Sequence, residues 1–104
     1  ALMLSEQLYV DSGLNRTKVA SLLNISEGYL SEILNSSRNI NFNDYINSYR
    51  IKHAIEMFQD KKFGLFSIES IGLESGFKSK SVFYKAFKKE QNLTPGAYRK
   101  ALNL

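Results

Sequence analysis

Two segments of this chain share one pattern of small, turn-forming and apolar residues, and this repeat limits the folds open to it. They read VASLLNISEGYLSEIL from Val19 and IGLESGFKSKSVFYKAF from Ile71. With one extra residue in the second turn, the matched pairs are Val19 and Ile71, Ala20 and Gly72, Asn24 and Gly76, Ile25 and Phe77, Ser26 and Ser79, Leu30 and Phe83, and Leu34 and Phe87. A small residue lets two helices cross closely, and Asn or Gly tolerates the positive φ of a tight turn. The repeat therefore predicts two helix-turn-helix units.

Apolar residues recur at helical spacing through most of the sequence, and no stretch alternates for long with a period of two. We predict an all-α fold of seven helices, which begin near Leu2, Thr17, Glu27, Phe42, Ser67, Ser79 and Thr94. The first is expected over Leu2–Val10 and the third over Glu27–Asn35. The longest, over 42–59, is a linker helix between helix-turn-helix subdomains at 1–41 and 60–104, and at ~1.5 Å per residue it would span roughly 26 Å.

The amino-acid composition excludes several kinds of protein function. The chain has no cysteine and a single histidine, which excludes disulfides, thiol catalysis and zinc knuckles and suits a reducing, cytoplasmic setting. Acidic residues are scattered, so nothing presents an acid/base pair, and we predict no enzyme, no cofactor and no metal. No apolar run approaches the roughly 18 residues of a membrane span, so no membrane contact is expected.

Positive charge is concentrated in the second half of the chain. The net charge is +4. Residues 1–52 carry five basic and five acidic side chains, whereas residues 53–104 carry nine basic and five acidic ones. Such an imbalance favours a polyanion as the partner, although charge alone does not single out nucleic acid.

The sequence also carries motifs of a known family. They are Asn41-Phe42 through Tyr45-Ile46, Arg50 with Ala54, Gly76-Phe77, Phe83, Phe87-Lys88-Lys89, Leu93-Thr94-Pro95 and Tyr98-Arg99. In these residues the chain resembles the DNA-binding domain of the AraC/XylS transcription regulators, from about Thr17 to Arg99. The resemblance implies double-stranded DNA as the partner, with two reading helices in successive major grooves. It also implies activation through RNA polymerase, and a sensing or dimerisation domain upstream of Ala1.

Three departures from the family pattern stand out. Gly72 takes the place of the usual alanine and is expected to loosen its helix by up to roughly 1 kcal/mol. Residues 35–39 replace a Lys-rich turn, so fewer phosphate contacts are expected there. Glu27 and Glu32 lie on the first reading helix, and since phosphate repels glutamate we infer that the second motif supplies most of the affinity.

In the second motif, the candidates for base-edge contact are Lys80, Ser81, Val82 and Lys85. Candidates for phosphate contact are Lys78, Ser79, Tyr84, Lys88 and Lys89, which would set affinity without reading sequence. Each has a plainer interpretation: a solvated lysine face, half-burial of Val82 in the elbow, and packing for Tyr84. The aromatic set of Phe77, Phe83, Phe87 and Tyr98 is expected in the core.

In the first motif, the candidates for base-edge contact are Gly28, Tyr29, Ser31, Glu32 and Asn35. Those for phosphate are Ser37 and Arg38. Glu32 can accept a hydrogen bond from cytosine N4, or it is simply a solvated charge.

Two other functions are open to a basic helical domain. One is an adaptor whose lysine-bearing helix binds an acidic protein partner, which is disfavoured because the apolar faces of the helices are needed for the core. The other is RNA binding, which the shape of the A-form major groove disfavours.

Overall fold

The computed structural model describes residues 7–38 and 41–102, without the side chains of residues 37 and 38. This part of the chain forms α-helices α1 (Arg16–Leu23), α2 (Glu27–Arg38), α3 (Phe42–Gln59), α4 (Ile68–Glu74), α5 (Lys80–Gln91) and α6 (Pro95–Leu102), and 3-10 turns at Leu8–Val10 and Lys61–Phe63. The described residues contain no strand, which confirms the all-α prediction.

The predicted count of seven helices is wrong, because the described residues form six. Most of the expected first helix, Leu2–Val10, lies outside the described residues. Its described end is the 3-10 turn, which follows Gln7 at φ 51°. An α-helix cannot continue through a residue in that left-handed conformation.

Every α-helix in the described part of the chain begins with a side-chain oxygen that accepts a hydrogen bond from a backbone N–H three residues on. These caps are Asn15, Ser26, Asn41, Ser67, Ser79 and Thr94, at 2.8 to 3.2 Å. Such a cap typically stabilises a helix by about 1 kcal/mol. The start of α3 therefore follows from Asn41, as the sequence predicts.

The end of α2 differs from the prediction. The helix continues from Asn35 to Arg38, because serine here joins the helix rather than breaking it. The hydroxyl of Ser36 donates to the carbonyl of Glu32 at 2.8 Å.

The long helix α3 serves two hydrophobic clusters with nearly opposite faces. Its first half adds Ile46 to a cluster that contains Val19, Leu30 and Leu34. Its second half adds Ile51, Ala54, Met57 and Phe58 to a cluster that contains Ile71, Phe77, Phe83 and Phe87. The partly buried Phe42, Tyr45 and Tyr49 also pack on the first cluster, and at 3.6 residues per turn they face roughly 160° away from the second-half residues. The sequence predicts a buried stripe of Phe42, Tyr45, Ile46, Tyr49, Ala54, Ile55 and Phe58, which omits the buried Ile51 and Met57.

The two repeated segments adopt the same turn. Asn24 has φ 58° and Gly76 has φ 111°. After each of them, the next backbone N–H returns to the matched small residue: Ile25 donates to the carbonyl of Ala20 at 3.0 Å, and Phe77 donates to that of Gly72 at 3.1 Å. The α1–α2 and α4–α5 pairs are thus built on one local geometry.

Arg50, in the middle of α3, fastens the N-terminal 3-10 turn to the rest of the fold. Its Nε donates to the carbonyl of Tyr9 at 2.6 Å, and its Nη2 donates to that of Asp11 at 3.0 Å. The guanidinium also lies 5.9 Å from the centre of the Phe77 ring. Burial lowers the pKa of Arg50, and the Asp11 carboxylate partly offsets that effect.

Candidate nucleic-acid interface

Helix α5 divides into a buried face and a basic exposed face. Phe83 and Phe87 are fully buried, and four lysines on the helix are exposed. Residues that point most directly outward at helical spacing are Ser81, Lys85 and Lys88, flanked by Val82, which is 48% exposed. Val82 is therefore about half-buried, and its contact with a thymine methyl stays a prediction.

The two residues at the other edge of this face contact each other. Lys80 Nζ lies 5.4 Å from the centre of the Tyr84 ring, and the half-buried Tyr84 packs edge-on against Phe83. Such a cation–π contact at an exposed site is worth about 0.5–1 kcal/mol. Ser79, just before α5, accepts from the N–H of Val82 at 3.2 Å, and Lys78 is exposed.

Lys89 differs from the other lysines of α5 because it reaches back to α3. Its ammonium lies 3.2 Å from Asp44 Oδ1. Together with Glu90, the pair borders a cleft of about 280 Å³ between α3 and α5. Because this pair directs the Lys89 ammonium toward α3, Lys89 is a weaker candidate for a phosphate contact than Lys88, whose side chain is exposed.

The cleft gives the fold a pH-dependent element at Glu90. Burial raises the pKa of the Glu90 carboxyl, a hydrogen bond with Gln91 lowers it, and the Asp44 charge adds to the rise. A raised pKa in the folded state favours folding below the unfolded pKa, and that contribution is lost as pH rises through the folded value. We therefore expect Glu90→Gln to raise the melting temperature at pH 7 but not at pH 3. Thermal melts at both pH values test this. Glu32→Gln, on an exposed part of α2, is the control. It should leave the difference in melting temperature between pH 7 and pH 3 the same as in the unsubstituted domain.

Helix α2 presents a different surface. Leu30 and Leu34 are buried, while Gly28, Tyr29, Glu32 and Asn35 are exposed and Ser31 is half-buried. No atom outside its own helix backbone lies within 4 Å of a Cβ built on Gly28, so a ligand could approach the backbone there. The side chains of Ser37 and Arg38 lie outside the described residues.

Arg16, at the start of α1, is the residue of this surface that the sequence analysis did not single out. Its Nε lies 3.4 Å from Glu27 Oε1, and its Nη1 donates to Ser31 Oγ at 3.4 Å. Two residues predicted to belong to the reading helix are thus held by an arginine from the preceding helix. Spacing could not show this contact, because it crosses the turn between α1 and α2.

The described part of the chain lacks both a metal-ligand cluster and a membrane-spanning helix. It contains no cluster of three or more His, Asp or Glu side chains placed to hold a metal ion. None of the helices between residues 7 and 102 is both long and apolar enough to cross a membrane.

Known proteins share both the sequence pattern and the fold. The family model described as "Helix-turn-helix domain" matches residues 19–101. The chain is 32% identical over 95 residues to the regulatory protein PocR of Salmonella typhimurium, a match that covers 91% of this chain and 30% of that protein. It is 40% identical over 62 residues to the TCP pilus virulence regulatory protein of Vibrio cholerae, covering 60% and 21%. The chain therefore spans less than a third of the length of these relatives.

A solved structure extends the likeness to three dimensions. The C-terminal domain of AraT, a response regulator from Geobacillus stearothermophilus, superimposes with a TM-score of 0.79 at 27% identity, covering 91% of this chain and 76% of that one. The family match and these relatives confirm the resemblance seen in the residues. The members of the family and the relatives named above are transcription regulators rather than enzymes. The chain belongs to the AraC-type helix-turn-helix family of DNA-binding transcription regulators.

Proposed function

We propose that this domain binds duplex DNA sequence-specifically, with α2 and α5 in successive major grooves. The observation that carries the proposal is the repeated turn, which gives α2 and α5 the same local support on either side of α3. The fold is 45 Å along its longest axis and 24 and 22 Å along the others. Its length is thus compatible with the roughly 34 Å between successive grooves.

Within this proposal each of the two subdomains, 1–41 and 60–104, binds its own major groove, and α3 connects them. Two distinct hydrophobic clusters, one for each helix pair, support the division. On α5, Ser81, Val82 and Lys85 are placed to reach base edges, with Lys78 and Lys88 on phosphates. On α2, the side chain of Glu32 faces the groove and suits a cytosine N4 donor.

The domain would act at DNA in the cytoplasm as part of a longer regulator. Activation through RNA polymerase, and dimerisation through a domain outside this chain, complete the proposal. The resemblance to the family supports both, and the chain spans less than a third of the length of the relatives named above.

Selection from a pool of randomised duplexes tests the readout. We expect two short motifs about one helical turn apart to enrich, with Lys85→Ala weakening one and Glu32→Ala the other. Lys85 is a sharper probe than Lys80, because Lys80 also contacts Tyr84. Loss of a base contact by Lys85→Ala should cost about 1–3 kcal/mol, or roughly five- to a hundredfold in affinity. Lys52→Ala, the same charge change on an exposed part of α3, is the control.

Two outcomes would count against the proposal. If no motif enriches and duplexes of any sequence bind equally, the domain is a non-specific polyanion binder. If an acidic peptide displaces duplex DNA from the Lys85 face and duplex cannot displace the peptide, the adaptor function is the better description.

A further inference from the structure

The two helix pairs carry opposite charge patterns. In the first pair, α1 contains Arg16 and Lys18 and no acid, whereas α2 contains two glutamates and Arg38. In the second pair, α4 contains two glutamates and no base, whereas α5 contains four lysines and Glu90. In the repeat, Glu27 and Glu32 align with Lys80 and Lys85. The net charge is therefore positive on the supporting helix in the first motif and on the reading helix in the second.

Arg16 is the cation of α1 that lies beside the reading helix. Its contacts with Glu27 and Ser31 hold the guanidinium across the first turns of α2. The side chain is nevertheless 52% exposed, and Nη2 donates to no residue in the described part of the chain. A planar guanidinium with free N–H donors is well suited to bind a phosphate oxygen.

Lys18 provides a natural comparison within the same helix. Its ammonium lies next to Gly13, 3.4 Å from where a Cβ on that residue would be, and its side chain borders a groove with Leu8, Val10 and Leu14. It therefore points toward the N-terminal turn, whereas Arg16 points toward α2.

We propose that Arg16 is a DNA-phosphate contact of the first motif, in addition to the candidates Ser37 and Arg38, and that Glu27 and Ser31 are the residues that position it. The inference rests on the proposed function of duplex binding. In helix-turn-helix proteins the first helix of the pair crosses the DNA backbone, which is where this guanidinium lies. The Glu27 carboxylate accepts a hydrogen bond from Nε, which leaves the Nη2 donors to bind a phosphate. Glu27 therefore positions Arg16 and does not contact a base.

The salt dependence of binding to a random-sequence duplex of about 30 base pairs isolates this interaction. The slope of log K against log salt becomes shallower by about 0.9 for each phosphate that the protein no longer neutralises. Arg16→Gln removes the charge but retains an amide that can bond Ser31. We expect it to reduce the slope by about 0.9, and Lys18→Ala to leave the slope unchanged. Circular dichroism melts establish that each variant is folded.

Three results separate this proposal from the proposed function. If Arg16→Gln leaves the slope unchanged while Lys88→Ala reduces it, the domain binds duplex DNA but Arg16 does not contact a phosphate. If the unsubstituted domain does not bind duplex at all, both proposals fail. If Arg16→Gln costs as much affinity with Glu27→Gln as without it, Glu27 has no positioning role; we expect a smaller cost in the double variant.

Discussion

Replacing Gly76 with alanine is expected to lower the free energy of unfolding by about 2–6 kcal/mol, a large part of the stability of a domain of this size. Two effects add. Gly76 has φ 111°, which costs a residue with a Cβ roughly 1–3 kcal/mol. The new Cβ would also lie 2.8 Å from Arg50 Nε and 2.9 Å from Val10 Cα, and closest of all to the carbonyl oxygen of Tyr9, and such overpacking costs about 1–3 kcal/mol.

Urea denaturation of the Gly76→Ala variant measures this loss. Gly28→Ala is the matched control, because it changes the same atoms in an exposed helix where the Cβ meets nothing within 4 Å. We expect that control to gain up to about 1 kcal/mol from helix propensity. A Gly76→Ala variant as stable as the unsubstituted domain would show that the elbow does not need glycine.

Replacing Gly72 with alanine is expected to lower the free energy of unfolding by about 1–2 kcal/mol, although alanine is the better helix former by about 1 kcal/mol. The cost in helix propensity expected from the sequence stays a prediction, but the space around position 72 decides the effect of alanine. A Cβ at this position would lie 2.7 Å from Cγ and 3.1 Å from Cβ of Phe83, which is fully buried. The Phe83 ring occupies the space in which a side chain at position 72 would lie.

A double-mutant cycle with Phe83→Leu checks this explanation. Phe83→Leu alone should destabilise the domain by opening a cavity. In that background, Gly72→Ala is expected to be neutral or stabilising, because the smaller side chain leaves room for the methyl group. If Gly72→Ala costs the same in both backgrounds, the ring contact is not the cause.

Local rules account for most of the fold that could be predicted from sequence. Caps such as Asn41 and Ser79 act on N–H groups three residues away, so the sequence shows where helices begin. Positive φ at Asn24 and Gly76 is likewise a property of single residues. The buried positions of Phe83 and Phe87 follow from their helical spacing.

Features that depend on two distant segments could not be predicted in this way. Burial of Ile51 and Met57 depends on how α4 and α5 pack against α3, which spacing within α3 does not show. The contact of Arg16 with Glu27 depends on how α1 meets α2. For the candidate site, exposure of Lys85 and Lys88 agrees with the sequence pattern, while their contact with DNA stays a prediction.

The contact among Tyr9, Arg50 and Gly76 shows that the second helix pair packs on residues N-terminal to the first. The family match begins at residue 19, yet the carbonyl of Tyr9 accepts from Arg50 and lies against the elbow that aims α5. A shortened chain that began at residue 16, and so kept both helix pairs, would leave the half-buried guanidinium of Arg50 without its two acceptors. Residues N-terminal to the first helix pair thus support the second pair. A shift in their position would alter the packing that sets the orientation of α5.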